Sequence, residues 1–216
     1  MPVLTYIYLL SILASFVSSV IAFRRGLSRH LQVFSALLGL TCVVEILAAV
    51  LAHALVRSNN WVYNSFTLVE FWVYGYFFGM ILAGRWVKRI VLGFLVVFPI
   101  FWGVTVLYLF GFTQWNSYVI IAGSFFTVLF CLLYYYQLAT APEIPDLRRL
   151  AEFWIATGML IFYMAALPYF GLLNFLIQYH LEAARNLLVV LQCLDTLMYL
   201  LITYGYLCRT RNIEKS

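Results

Sequence analysis

Apolar residues gather along this chain into seven long runs: Val3–Phe23, Leu31–Val56, Trp61–Ala83, Ile90–Phe110, Tyr118–Leu138, Ala151–Leu173 and Leu187–Leu207. Each is about 20 residues or longer, the length a helix needs to cross roughly 30 Å of hydrocarbon. The pattern predicts an all-α, polytopic integral membrane protein with seven transmembrane helices, forming a single domain over residues 1–216. The first run lacks a basic segment ahead of it, is too long for the core of a signal peptide, and is followed by Arg24 and Arg25. It therefore reads as a retained helix. Pro99 and Pro168 fall inside the fourth and sixth runs and are expected to kink them. Pro142 and Pro145 break the chain before the sixth run, where Asp146 is placed to cap the turn that starts at Leu147. The stretch from Asn174 to Asn186 mixes polar and apolar residues and is expected to lie along the interface as a short amphipathic piece.

The basic residues orient these helices. Arg24, Arg25 and Arg29 follow the first run; Arg85, Lys88 and Arg89 follow the third; Arg148 and Arg149 precede the sixth; Arg209, Arg211 and Lys215 lie in the tail. Alternating spans put all eleven on one side and leave Arg57 and Arg185 on the other. The positive-inside rule then predicts an outer N-terminus and a cytosolic C-terminus, in the cell membrane (the inner membrane if the source is bacterial). Trp61, Trp115, Tyr118 and Tyr179 fall near the predicted outer ends, where aromatic belts belong.

Composition agrees: 65% of residues are hydrophobic, 19% aromatic and 10% charged, which excludes a soluble domain. The net charge of +5 does not point to nucleic acid, because the basic residues are spread over short loops. Cys42, Cys131, Cys193 and Cys208 form no C-x-x-C pair, so no disulfide framework or zinc site is expected, and no cofactor is predicted.

What departs from apolar monotony is the third run. Tyr63, Thr67, Glu70 and Tyr74 are spaced by four, three and four and share one helical face, with Asn64 beside them. In the last run Gln192, Asp195, Tyr199 and Thr203 form a matching stripe, and in the second run Thr41, Glu45 and His53 form a smaller one. Counted from the outer ends of the runs, Glu70 and Asp195 lie about 13 Å deep, Glu45 about 18 Å and His53 about 6 Å. A charged acid at the bilayer centre costs on the order of 3 kcal/mol or more, so these side chains must face protein or water. Glu70, Asp195, Glu45, Tyr74, Tyr199, Tyr63, Thr67, Asn64, Gln192 and His53 are thus the candidate ligand- or proton-binding residues of one outer cavity. The bland alternative is that each acid hydrogen-bonds to a nearby Tyr, Thr or Gln and only holds helices together. A metal site is not expected, since no pair of these residues has the spacing of a known metal motif.

Weak internal similarity suggests two parallel three-helix units, residues 3–89 and 117–209, joined by a linker helix at 90–110 (a 3+1+3 layout). Arg29, His30, Leu31, Phe34 and Gly39 match Arg148, Arg149, Leu150, Phe153 and Gly158, and Glu70 with Tyr74 matches Asp195 with Tyr199. Chance likeness between apolar helices is the competing explanation.

The central acids and the repeat favour a small-solute or proton-coupled transporter. Two alternatives stand beside it. One is a small-ligand receptor or sensor subunit acting through a separate cytosolic partner; the other is an intramembrane lipid hydrolase using two carboxylates. No hydrolase, zinc-protease or phosphate-loop pattern occurs, so an enzyme is not the expectation. The expected partners are the lipid bilayer, an unknown small molecule or proton, and a homo-oligomer or cytosolic signalling protein.

Overall fold

The computed structural model describes residues 2–54, 59–142 and 146–213, with the side chains of a few of them, His53 included, left out. The described residues are helical almost throughout and contain no strand. Seven α-helices follow in order: α1 (Pro2–Arg24), α2 (Arg29–Ala54), α3 (Asn60–Ile81), α4 (Arg85–Val104), α5 (Ser117–Ala139), α6 (Ala151–Tyr179) and α7 (Leu181–Ile213). A π-helical turn, Thr105–Phe110, continues α4, and a 3-10 turn, Leu147–Arg149, precedes α6.

Six of the seven are long and apolar enough to cross a membrane, which makes this a multi-pass helical membrane protein in character. The exception is α3. Its 22 residues would span about 33 Å, but Trp61, Tyr63, Asn64, Thr67, Glu70, Tyr74 and Tyr76 lower its mean hydropathy. Its polar stripe turns toward the other helices, while Trp61, Val69, Trp72 and Met80 stay exposed on another face. It packs against α2, α4 and α5, and Phe71, Phe77 and Phe78 on it are buried to 1%, 0% and 0% exposure.

Successive helices pack as neighbours, and the ring closes where α7 returns to lie against α1. Small residues set the closest approaches. A Cβ on Gly158 of α6 would stand 3.0 Å from the Met198 carbonyl oxygen of α7, and one on Gly205 of α7 would stand 3.0 Å from the Ala151 carbonyl of α6. Gly123 of α5 takes the ring of Phe71 against its backbone, where a Cβ would stand.

Local signals behave as expected in the turn before α6, where Asp146 accepts a hydrogen bond from the Arg148 amide at 3.2 Å and pairs with Arg149. Elsewhere the structure differs. The stretch 174–186 is no separate interfacial piece: α6 continues to Tyr179, α7 begins at Leu181, and a single residue, His180, breaks the path. The break stays fully bonded, with the His180 amide donating to Leu176 and its carbonyl accepting from Ala184. At about 1.5 Å per residue both helices are longer than the ~30 Å apolar layer of a bilayer. In α4 the helix runs through Pro99 and loosens at Thr105, whose hydroxyl bonds the carbonyls of Phe101 and Trp102; Gly111, at φ +73°, ends it.

The paired glycines of the suggested repeat do not pack alike. Gly39 on α2 faces Phe16 of α1, whereas Gly158 on α6 faces the backbone of α7.

The α3–α5 approach generates a direct test. Gly123→Ala forces a methyl into the trapped ring of Phe71 and should destabilise the protein by about 1–3 kcal/mol. Gly93→Ala, with open space around it, should be neutral or slightly stabilising. Thermal unfolding in detergent compares the two; equal midpoints would refute the close packing.

Candidate functional site

Three helices each bring one acid to the same region of the bundle, and tyrosines from other helices meet them. Glu45 of α2 accepts from the Tyr8 hydroxyl of α1 at 3.0 Å and from that of Tyr63 of α3 at 3.4 Å. Glu70 of α3 accepts from Tyr74 on its own helix at 3.0 Å. The Tyr163 hydroxyl of α6 stands 3.2 Å from Glu70 Oε1 and 3.3 Å from the Tyr74 hydroxyl, so its single proton serves one or the other. Asp195 of α7 lies beside Tyr8, which thereby stands between two acids. The ring of Tyr199 is edge-on to Tyr8 at 6.1 Å, and no hydrogen bond joins it to Asp195.

These groups line connected space. One cavity of about 440 Å³ is walled by Thr5, Tyr8, Glu45, Asn59, Tyr63, Gln192 and Asp195 among apolar neighbours. A deeper one of about 180 Å³ adds Thr67, Glu70, Tyr163 and Tyr199. The two share Tyr8, Glu45, Tyr63, Phe162, Phe170 and Asp195, so the acids form one stepped chamber.

Of the residues singled out in the sequence, Glu45, Glu70, Asp195, Tyr63, Thr67, Tyr199 and Gln192 line this chamber, and Tyr74 supports Glu70 from behind. Gln192 also reaches Thr5 of α1 at 3.4 Å. Asn64 does not take part. Its side-chain amide donates to the carbonyls of Phe112 and Gln114 at 2.9 and 2.7 Å, and its own carbonyl receives the Trp102 indole at 2.7 Å. It is an anchor for the α4–α5 connection. The candidate side chain of His53 lies outside the described residues. Among the described residues no group of three His, Cys, Asp or Glu is placed to hold a metal ion.

Sequence reading passed over Tyr8 and Tyr163. Neither stands a turn from an acid on its own helix, so nothing local marks them out; only their burial in otherwise apolar helices could have done so. The aromatic walls Phe162, Phe170 and Trp115 carry no signal of their own in so aromatic a chain. The chain matches no protein-family model, no curated protein and no solved structure.

Two substitutions separate the anchor from the chamber. Asn64→Ala strips the side-chain donor from the Phe112 and Gln114 carbonyls, leaves the backbone carbonyl that holds Trp102, and should cost about 1–3 kcal/mol. Tyr163→Phe removes one hydroxyl from a shared network and should cost nearer 0.6 kcal/mol. Unfolding in a chemical denaturant measures both, and a reversed order would contradict these assignments.

Proposed function

We propose that this protein is a seven-span, proton-coupled carrier of a small solute in a cell membrane, with its N-terminus outside and its C-terminus in the cytosol. The observation that carries the reading is the stepped chamber, where Glu45 and Asp195 face open space and Glu70 lies deeper behind them. Intramembrane acids that line a cavity are the usual substrate- and proton-binding groups of transporters. The described lining residues include acids, hydroxyls, the amides of Asn59 and Gln192, and aromatic rings, with no Lys, Arg or His. That chemistry suits a proton or a small organic cation, which aromatic faces also attract.

The seventh span is α3. If it did not cross, the thirteen basic residues would divide nine to four between the two sides instead of eleven to two. Its length and its packing against α2, α4 and α5 support the same assignment. The outer-half position of the chamber also fits a receptor subunit, which would bind its ligand without moving it.

Orientation is tested by reporters: one after Ser216 should sit in the cytosol and one inserted at Ser58 outside; the reverse pattern would overturn the orientation read from the basic residues, and both reporters on one side would overturn the seven-span reading. Function is tested in proteoliposomes with a pH-sensitive dye inside and a panel of primary and quaternary amines outside. Uptake with counter-movement of protons is expected, and Asp195→Asn and Glu70→Gln should each abolish it in folded, inserted protein. Amine binding without uptake would select the receptor; neither binding nor proton movement would refute both.

A further inference from the structure

Away from the chamber, toward the end of the bundle that bears Arg29, Arg85 and Arg148, the helices close on a layer of rings. Phe34 stacks on Tyr74 with centroids 5.9 Å apart and packs on Phe77 at 5.2 Å. Phe34 and Phe77 are 1% and 0% exposed. One ring contact further, at 5.8 Å from Phe77, lies the imidazole of His30. Its Nε2 is 2.8 Å from Glu152 Oε1 on α6 and 3.2 Å from the Ser28 hydroxyl. The two side chains are only 15% and 11% exposed. Tyr134 of α5 lies close enough to Glu152 to feel its charge, and its buried hydroxyl makes no hydrogen bond.

A mere clamp between α2 and α6 does not call for these groups. Withdrawing an ion pair from water costs about as much as its attraction returns, and an orphaned buried hydroxyl adds roughly 1–3 kcal/mol. Apolar side chains would join the helices more cheaply. A site that must change its protonation needs what is present here: an imidazole, a carboxylate and an unsatisfied hydroxyl ready to donate or accept.

We propose that His30 and Glu152, with Tyr134, form a second proton-binding site at the basic end of the bundle, in series with the acids of the chamber and parted from them by the Phe34–Phe77 layer. The proposal rests on the carrier reading above and supplies its opposite-side proton exchange. With one proton between Nε2 and Oε1 the pair joins α2 to α6. A second proton from the basic side leaves an imidazolium beside a neutral carboxylic acid, and the electrostatic part of the link is lost. Release of both returns neutral imidazole and carboxylate. Passage to Tyr74 and Glu70 requires the rings of Phe34 and Phe77 to part, so this conformation keeps the two sites separate. Among the described residues, the titratable or charged groups around the pair include Arg29 beside His30 on α2, Arg148 and Arg149 just ahead of Glu152, Tyr134 on α5, and Tyr206 on α7, which donates to the Leu31 carbonyl at 3.0 Å. Phe77 represents α3.

The test is side-specific titration. The chain has three histidines, so ring-labelled histidine in oriented proteoliposomes gives few nuclear magnetic resonance signals, and His30→Asn assigns one. With the pH of each compartment set separately, the His30 signal should follow the compartment facing the basic loops alone, and Glu152→Gln should alter that titration. Tyr134→Phe, a change mild enough to leave the fold intact, should alter it too. A His30 signal that ignores pH, or follows the chamber side, overturns the proposal even if the liposomes move protons. A wild-type protein that moves no protons, yet whose His30 follows the basic side, sinks the carrier reading and leaves the second site standing. Where both hold, Glu152→Gln should reduce proton movement at least tenfold while amine binding in the chamber persists.

Discussion

Hydrocarbon offers no hydrogen-bond partner, and nearly everything in this structure follows from that. A carboxyl group within a membrane span must find protein or water, and this chain places three of them, on three helices, where they can share a small set of tyrosines. The tyrosines are well suited to the role. Each buries a large apolar body and presents a single hydroxyl, so it can stand in a greasy core and still satisfy an acid. The consequence is a bundle held apart around a polar chamber at one end, while the other end closes on Phe34, Phe77 and Phe78.

The same constraint accounts for α3. It carries too many polar and amphipathic side chains to be comfortable against lipid, and it packs against three other helices. Its faces divide the work. Glu70, Tyr63 and Thr67 look into the chamber, Asn64 and its neighbours tie down the α4–α5 connection, and Phe71 and Phe78 fill the core. Because Gly123 lets the ring of Phe71 lie on its backbone, α3 sits close to α5, and Tyr163 of α6 comes within reach of Glu70. The site thus depends on a packing contact made by Phe71, the residue next to Glu70.

The two ends of the molecule are chemically unlike in a way that composition alone conceals. The chamber is acidic and aromatic, and the opposite end holds a histidine–carboxylate pair under a fringe of arginines. Between them lies a layer of phenylalanine rings, with Tyr74 touching it from one side and His30 from the other.

Reading along the chain was enough to predict helices, because seven long apolar runs admit no other structure in lipid, and enough to mark Glu45, Glu70 and Asp195, because a charge in such a run has to be accounted for. The i, i+4 partnership of Glu70 with Tyr74 was equally legible, being a property of one helix. By the same rule Tyr199 was the expected neighbour of Asp195, and there tertiary packing decided otherwise: α1 lies against α7 and brings Tyr8 to the acid. Asn64, one residue from the polar stripe, was assigned to the site by proximity in sequence, but a single step along a helix turns a side chain by about 100°, enough to aim it at a loop. Tyr163 and the pairing of His30 with Glu152 join residues 93 and 122 positions apart. Periodicity reports which residues share a face of one helix; which faces meet is set by how closely whole helices can approach, and that exists only in the folded bundle.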